Sequence, residues 1–476
     1  MPLHFIRKLL ASLLTLMTLF LLVFPLLSYP IVSSQEPTPI GETAQDYLTR
    51  GLYCKDTLYD TPCAIAALSK AIELDPTLIE AYLARGEVYY DVFAFPLAID
   101  DFTRALELDP NSVQALAWRG SACSFWPGYA EDLPQAEADL IRAYELDPHN
   151  SVVLWAWGDL YFFMRDEAQK GMEYYAQAVA ANPNDPVAYA LLAFGGWAME
   201  GSLSDINTIH LTRAIEVASG PYKDYLASQL QIAQGQFKEA WAILETSMTT
   251  YPNSASLFYR VGQVIVMDLQ SHPSEIGFDP IAKLIEVYSR AIELAPMSPR
   301  FYEARAYAVL NNGVMTQADF DAALADFTQA LTLYPAYNGP YEGLTRLYLE
   351  ANDFQDCTLA HSYFEQASAH PSEMPMALHN LKNIESQLNE ICGAEGSFTL
   401  IPAESPAFPV GAEIELKGIG VFPLDSAPGE SDGTVLCMSG STGVVVQTGR
   451  VVEDGPIFVQ VECEAGTGWI AETLLK

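Results

Sequence analysis

Apolar residues recur at steps of three and four over most of the chain, which is the spacing of one face of an α-helix. In the clearest example, one helical face carries Tyr82, Gly86 and Tyr89. A second helix follows, in which Ala98 and Phe102 take the matching positions. The small residues Gly86 and Ala98 let the two helices approach closely, while Tyr89 and Phe102 fill the remaining space. The pattern therefore predicts a pair of packed helices.

The second helix of this pair ends in a short segment that recurs along the chain. It reads FTRALELDP at residues 102–110 and returns, for example, as YSRAIELAP at residues 288–296. Proline cannot continue a helix and a following Asn can cap the next one, so each copy is predicted to close one unit. We therefore predict nine units within residues 44–373. The copies end at Pro76, Pro110, Pro148, Pro183, Pro221, Pro252, Pro296, Pro335 and Pro371.

These units resemble tetratricopeptide repeats, through the order Gly-x2-Tyr-x8-Ala-x3-Phe-x2-Ala-x4-Pro that begins at Gly86. The resemblance covers about two thirds of the chain. It implies a mainly α fold in which antiparallel helix pairs stack into a right-handed superhelix, or solenoid, with a concave groove that binds peptides. Single units cannot bury their apolar faces, so stacking stabilises them. A last amphipathic helix, at residues 374–393, is predicted to cap the array.

The resemblance also implies which side chains face the groove, namely those beside the stacking face of each first helix. Aromatic and acidic residues occupy these positions, whereas a groove that grips an acidic chain terminus needs Lys and Asn to pair its carboxylates. We therefore expect the groove to bind apolar, aromatic or basic segments of a protein partner. The alternative is that the aromatic side chains only pack between units. The candidate groove residues are Leu83, Glu87, Tyr90, Trp155, Asp159, Phe162, Phe163, Phe194, Trp197 and Tyr259.

The composition changes abruptly after Gly393. Residues 394–411 contain several prolines and are predicted to form a linker. Residues 412–476 read as five short strands separated by Gly, Ser and Asp, which is the size of a small β-barrel. The strand with Gly468-Trp469-Ile470 resembles the end of a bacterial SH3-like domain, although the usual Asn-x-Arg-x-Gly-Pro pattern is absent. Some members of that family bind peptidoglycan, so the cell wall is an alternative partner.

Residues 1–34 predict export from the cytoplasm. A basic region with Arg7 and Lys8 precedes an apolar run of about 19 residues, as in a signal peptide or a single N-terminal membrane anchor. Cleavage after Ser34 would release the protein, and retention would anchor it. We expect contact with a membrane only through this segment, if it is not cleaved.

The charge of the chain narrows the classes of partner. Sixty acidic residues against 24 basic ones give a formal net charge of −36. Such a surface repels phosphate backbones, so nucleic acid is not an expected partner. We interpret the acidity as solvation of helix faces, and the alternative is selection for cationic partners.

The seven cysteines suggest three disulfides in an exported chain. Cys54 and Cys63 bracket the turn inside the first unit. Cys357 and Cys392 begin and end neighbouring antiparallel helices. We expect Cys123 to be a small buried core residue. The third candidate pair, on two strands predicted to be neighbours in the barrel, is Cys437 and Cys463.

No arrangement of residues in the sequence predicts catalysis. The seven histidines are scattered, and the HExxH, GxSxG and GxxxxGK[ST] patterns do not occur. Neighbouring acids such as Asp100 and Asp101 are interpreted as solvated helix faces. We therefore predict a non-enzymatic interaction scaffold outside the cytoplasm, with no cofactor and no metal. The alternative is an accessory subunit that binds cell wall through the C-terminal domain.

Overall fold

The computed structural model describes residues 43–125, 133–165, 167–200, 204–272, 277–311, 315–350, 355–369 and 375–392, together with six strands between residues 413 and 471. The predicted signal peptide or anchor at residues 1–34 and the linker at 394–411 lie outside the described residues. Among the described helices, none is both long enough and apolar enough to cross a membrane.

Eighteen of the described α-helices form nine consecutive hairpins, in which each first helix packs against the helix that follows it. We call these hairpins 1 to 9. The first helices are α1 (Ala44–Tyr53), α3 (Ile79–Asp91), α5 (Val113–Phe125), α7 (Ser151–Asp159), α9 (Pro186–Glu200), α11 (Gly220–Ala233), α13 (Ala255–Met267), α15 (Pro299–Leu310) and α17 (Asn338–Glu350). The second helices are α2 (Thr61–Leu74), α4 (Phe95–Leu108), α6 (Leu133–Leu146), α8 (Ala168–Ala181), α10 (Asp205–Val217), α12 (Phe237–Thr250), α14 (Pro280–Leu294), α16 (Gln317–Leu333) and α18 (Cys357–Ala369).

Three shorter helices and one long one complete the α-helical part. The first helices of hairpins 1 and 4 continue as single π-turns, Cys54–Leu58 and Leu160–Met164, and a short 3-10 turn, Leu269–Ser271, follows α13. The long helix α19 (Pro375–Cys392) packs against both helices of hairpin 9. It therefore covers the end of the stack.

The turns between hairpins explain the recurring segment that ends in proline. After α2, the carboxylate of Asp75 accepts a hydrogen bond of 2.9 Å from the backbone N–H of Thr77. Asp109 makes the same bond to the N–H of Asn111, at 3.0 Å. Each bond turns the chain around the intervening proline, so the Asp side chain reverses the chain while the proline stops the helix. In these two turns the acid therefore stabilises the reversal of the chain in addition to the proline.

Small residues set the distance between the helices of a hairpin. A Cβ added at Gly86 would lie 2.6 Å from Cε1 of Phe102. At the matching place in hairpin 3, a Cβ at Gly120 would lie 2.8 Å from Cγ of Leu140. Both distances are shorter than carbon atoms tolerate, so the close approach of α3 to α4 requires glycine, as the sequence pattern predicts.

Asp101 is buried rather than solvated, which corrects the interpretation of the acid pair. Its carboxylate accepts two hydrogen bonds from the guanidinium of Arg85, at 2.8 and 2.7 Å, and only 4% of its surface is exposed. Arg85 also donates to the hydroxyl of Ser69 in hairpin 1, at 3.0 Å. We call this arrangement the Arg–Asp clamp. It recurs as Arg119 with Asp139 and as Arg305 with Asp326.

The superhelix turns far enough to bring hairpins 1 and 2 against hairpins 6 to 8. The backbone N–H of Thr61 donates to the carbonyl of Asn253 at 3.0 Å, and the amide of Asn253 donates to Asp60 at 2.6 Å. In hairpin 2, the ring of Phe93 lies 4.7 Å from that of Tyr259. The concave side is therefore occupied in part by the chain itself, and the groove is not an open channel along its length.

Six strands follow in the C-terminal part. They are β1 (Glu413–Glu415), β2 (Val421–Leu424), β3 (Val435–Met438), β4 (Thr442–Arg450), β5 (Ile457–Cys463) and β6 (Gly466–Ala471). They form a four-stranded antiparallel sheet in the order β1-β4-β5-β6 and a separate β2-β3 hairpin. The strands of Cys437 and Cys463 belong to different sheets and are not paired neighbours, contrary to the sequence-based expectation. Any contact between those two side chains lies outside the described residues.

Candidate functional site

A cavity of about 500 Å³ lies on the concave side of the superhelix and is lined by side chains from hairpins 1 to 7. We call it the central cavity. Most of its walls come from first helices, namely α3, α5, α7, α9, α11 and α13, because these helices face the inside of the superhelix. Its volume lies in the range of pockets that bind small ligands or one or two side chains, about 300–1,000 Å³.

One wall of the central cavity is a run of aromatic rings, which we call the aromatic wall. The ring of Tyr90 lies 5.2 Å from Phe95 and 4.9 Å from Trp118, and Trp118 lies 5.3 Å from Trp155. All three pairs meet edge to face, the arrangement that the ring quadrupole favours. The hydroxyl of Tyr90 shares a hydrogen bond of 2.8 Å with Ser121, which fixes the ring. The wall is therefore preorganised.

Four carboxylates and two cations also line the central cavity, and most of them are paired. Glu87 accepts from Lys55 at 2.5 Å and from the amide of Gln114 at 2.6 Å. Asp91 lies 3.4 Å from the guanidinium of Arg260. The cations of the cavity are therefore already matched with acids of the same cavity.

Asp60 also belongs to the lining, at the turn before α2. It caps α2 by accepting a bond of 2.9 Å from the N–H of Cys63, and it accepts a second bond from Asn253. Its two oxygens thus hold the first hairpin in place, and their role is structural.

Asp159 differs from the other three acids. It ends α7, one helical turn after Trp155, and only 2% of its surface is exposed. Its Oδ1 accepts a hydrogen bond of 2.6 Å from the hydroxyl of Tyr175 on α8. Burial raises the pKa of its carboxyl to about 8, although the bond from Tyr175 opposes the shift. Burial, followed by the nearby charge of Asp159, raises the pKa of Tyr90 and of Tyr175.

The structure brings four of the predicted groove residues together in the central cavity, namely Glu87, Tyr90, Trp155 and Asp159. Leu83 is buried in the core between hairpins 2 and 3 and does not line the cavity. Phe194 packs in the core of hairpins 5 and 6, and Trp197 is half-buried on the same helix. Phe162 packs against Tyr175, and Phe163 is 39% exposed.

Tyr259, the last predicted groove residue, lines a second cavity of about 310 Å³ between hairpins 7 and 8. A buried polar network borders that cavity. Arg300 donates to the hydroxyls of Tyr259 and Tyr337 at 3.1 and 2.7 Å, and Tyr337 donates to Glu303. Each of these groups has a partner within the network, which therefore holds hairpins 7 to 9 together.

Sequence reasoning missed Trp118 and Arg260, two of the largest side chains in the central cavity. Both stand two residues before the glycine that packs against the second helix, Gly120 and Gly262 respectively. Trp155 stands three residues before the equivalent Gly158. The shared place of Trp118 and Arg260 relative to this glycine is a signal in the sequence, although Ala84, at the same place in hairpin 2, is buried in the core.

In the described part of the chain, no three His, Cys, Asp or Glu residues lie close enough together to hold a metal ion. Cys123 is buried in α5, at 2% exposure. The structure joins Cys54 to Cys63 and Cys357 to Cys392 as disulfides.

One family model matches part of the first two hairpins. Residues 61–92 match the family model described as TPR repeat. No curated protein sequence matches the chain. Among solved structures, the APC/C hetero-tetramer Cut9–Hcn1 is similar at 17% identity, over 71% of this chain and 62% of that one, with a TM-score of 0.41. Yeast Tom70 is similar at 13% identity, over 74% and 90% of the two chains, with a TM-score of 0.43.

A third similar structure is the human IFIT1 dimer with PPP-AAAA, at 15% identity over 74% of this chain and 87% of that one, with a TM-score of 0.44. The matched residues 61–92 comprise α2 and α3, the second helix of hairpin 1 and the first helix of hairpin 2. The protein is thus a mainly α-helical array of stacked hairpins, in which residues 61–92 match the family model of a TPR repeat.

Proposed function

We propose that this protein is a non-enzymatic scaffold that binds a segment of another protein in the central cavity, and that it does so outside the cytoplasm. The observation that carries the proposal is the central cavity itself, in which a preorganised aromatic wall meets buried and half-buried acids. Stacked helical hairpins of the TPR type bind protein or peptide partners on this concave side.

The dimensions of the site decide what kind of segment fits. A volume of about 500 Å³ holds one or a few side chains rather than a whole helix. Rings such as Trp118 and Trp155 offer a large apolar contact area, while the carboxylate of Glu87 disfavours an acidic ligand. The segment is therefore apolar or aromatic and carries basic rather than acidic residues.

Filling the cavity tests the proposal. Leu191 on α9 lines the central cavity and is half-buried, so Leu191→Trp adds volume where the ligand would lie. Met199 on the same helix is 47% exposed and is not part of the lining, so Met199→Trp is the matched control. We expect at least a tenfold loss of affinity for aromatic and basic peptides in Leu191→Trp, measured by fluorescence anisotropy, and no change in Met199→Trp.

Two results would contradict this function. One is equal binding by both variants, which would place the ligand outside the cavity. The other is a preference of the unmodified protein for peptides with an acidic C-terminus over aromatic and basic ones. Circular dichroism of each variant shows whether the hairpins remain folded.

The location outside the cytoplasm is supported by the N-terminal sequence pattern and by the two cysteine pairs. Cys54 lies against Cys63, and Cys357 lies against Cys392, at distances that suit disulfides. Such bonds persist in oxidising compartments and are rare in a reducing cytoplasm. Fractionation of the native host, followed by detection of the protein, tests the location. Recovery in the cytoplasmic fraction alone would contradict it.

A second candidate function is binding of the cell wall by residues 412–476. The antiparallel pairing of β4 with β5 and of β5 with β6 favours a small β domain of the predicted SH3-like kind. Co-sedimentation with insoluble peptidoglycan, using the full chain and a chain that ends at Cys392, tests this candidate. Loss of sedimentation in the shorter chain is expected if the domain binds the wall, and equal behaviour of the two chains would exclude it.

A further inference from the structure

Among the described contacts, two of the four carboxyl groups in the central cavity, those of Asp60 and Asp159, have no paired cation. Glu87 is paired with Lys55, and Asp91 with Arg260. Asp60 accepts hydrogen bonds from a backbone N–H and from an amide. Among the described contacts of Asp159, the single hydrogen bond comes from the neutral hydroxyl of Tyr175. A buried carboxyl group with so little compensation is stable only if it stays protonated or if a cation joins it.

The surroundings of Asp159 fit an apolar stem that ends in a charge. Trp155 precedes Asp159 by one helical turn on the same face of α7. Trp118 and Tyr90 continue the aromatic wall from Trp155 across two further helices. An aliphatic chain along these rings would bury its methylene groups, and a cation near the rings gains additional attraction from their faces.

We propose that the central cavity binds the ammonium group of a lysine side chain, with Asp159 as its counter-ion and the aromatic wall around its aliphatic stem. This proposal rests on the function proposed above and specifies the class of segment that the site selects. Asp159 thus acts as the specificity-determining residue of the cavity.

Lysine fits this position better than the other charged side chains do. An ammonium group has three donors, whereas a guanidinium has five and leaves more of them without partners in an aromatic pocket. An acidic side chain would have to compete with Glu87 and Asp91 for the two cations of the cavity, which are already paired with these acids. A long flexible stem also allows the charge to reach a group that is 2% exposed.

Binding of a cation here is coupled to a proton. The charged and titratable groups near Asp159 are Tyr90 on α3 and Tyr175 on α8, with Asp91 and Arg260 acting on Tyr90. Both tyrosines stay protonated, since burial raises the pKa of each. The carboxyl of Asp159 holds a proton at neutral pH, because its pKa is raised to about 8. An arriving ammonium ion favours the carboxylate, so complex formation releases a proton.

Isothermal titration calorimetry of the full chain tests the proposal on the unmodified protein. The probes are an acetylated, amidated Leu-Phe-Lys-Phe-Leu peptide and the same peptide with norleucine in place of lysine. We expect at least tenfold tighter binding of the lysine peptide and a heat that varies with the ionisation enthalpy of the buffer, as proton release requires. Equal affinity of the two peptides would overturn the proposal, as would a heat that is independent of the buffer.

Variants then locate the effect. Asp159→Asn keeps an oxygen that accepts the bond from Tyr175 and should abolish the preference for lysine, while the norleucine peptide binds as before. Asp100→Asn is the control, because Asp100 is an exposed acid that does not line the cavity, and it should leave the preference unchanged. A preference that survives in Asp159→Asn would refute the assignment of the counter-ion.

The same measurements, with one additional probe, distinguish failure of the lysine site from failure of the proposed function. If both peptides bind equally well and Leu191→Trp still prevents binding, the interaction scaffold stands and the lysine site fails. If neither peptide binds, the proposed function fails with it. Phenethylamine is the third probe, and tighter binding of this free amine than of the lysine peptide would assign the cavity to a small amine instead of a protein segment.

Discussion

The ring of Phe93, in hairpin 2, lies 4.7 Å from the ring of Tyr259, in hairpin 7. Phe93 adopts a left-handed backbone conformation, with φ at 59°, at the turn between the two helices of its hairpin. Tyr59 takes the same conformation, with φ at 52°, at the equivalent turn of hairpin 1, and its ring lies 5.3 Å from Tyr251. Such a conformation is unfavourable for a bulky residue. Both strained turns therefore present the aromatic rings that join distant hairpins.

Replacing Phe93 should separate the effect of its strained backbone on stability from the effect of its ring contact with Tyr259. Phe93→Ala removes the ring but keeps a Cβ in the left-handed conformation, so we expect a loss of about 2–4 kcal/mol in the free energy of unfolding. Phe93→Gly removes the ring and the strain together and should lose about 1 kcal/mol less. Urea denaturation measures both losses, and hydrogen exchange should show faster exchange in α13. Unchanged exchange in α13 would mean that the contact does not support hairpin 7.

The Arg–Asp clamp of hairpin 2 should be important for stability. Asp101→Ala leaves the half-buried guanidinium of Arg85 without its two acceptors, so we expect a loss of about 3 kcal/mol in the free energy of unfolding. The double variant Arg85→Met, Asp101→Leu removes both charges and should restore most of that loss. Arg104→Ala removes an exposed pair with Glu107 and is the control. A loss in the control as large as that in Asp101→Ala would contradict the assignment.

Stability should fall as the pH rises from about 4 to about 8, because of Asp159. Its folded-state pKa, about 8, lies above the unfolded value of 3.8, so the folded protein binds more protons across this range. Burial also raises the pKa of Glu342, to about 7, which acts in the same direction. Thermal denaturation at several pH values measures the slope. In Asp159→Asn the slope should be smaller, and an unchanged slope would argue against a neutral Asp159.

Both cysteine pairs should be oxidised in the native protein. Mass spectrometry of the unreduced protein should find the peptides of Cys54 and Cys63 linked, and those of Cys357 and Cys392 linked. The loops span 9 and 35 residues, so reduction should lower the free energy of unfolding by about 3 and about 4 kcal/mol respectively on the chain-entropy model. A double Cys54→Ser, Cys63→Ser variant keeps only the bond with the longer loop. Reduction of this variant should therefore still lower the free energy of unfolding by the larger of the two amounts. Free thiols at all four of these positions in the unreduced protein would contradict both bonds.

The helical hairpins could be predicted from the sequence because their determinants are local. The contact of Gly86 with Phe102 lies within one hairpin. The turn at Asp109 and Pro110 involves neighbouring residues only. Each repeated copy added independent support to the pattern. The Arg–Asp clamp was not predicted from the sequence. Its signal is nevertheless present, because Arg85 and Arg119 each stand directly before the packing glycine of their unit.

The central cavity could be predicted only in part, because its shape depends on the curvature accumulated over seven hairpins. Glu87 and Trp155 were identified from their place on the first helix, which is a local property. The position of Arg260 opposite Asp91 depends on how far the superhelix has turned after five units. Small rotations between stacked units set that position, and irregular loops change them, so sequence spacing alone does not determine it.

The bonds of Asp60 and Thr61 to Asn253 have a consequence for how this array can change in length. Solenoids generally accept an added or deleted unit, since each unit touches only its neighbours. Here the first hairpin meets the end of the sixth, so one unit more or fewer between them would move Asn253 out of reach. These contacts therefore fix the number of hairpins between Thr61 and Asn253. This part of the array behaves as a closed ring of set size, and it cannot be extended in the way an open solenoid can.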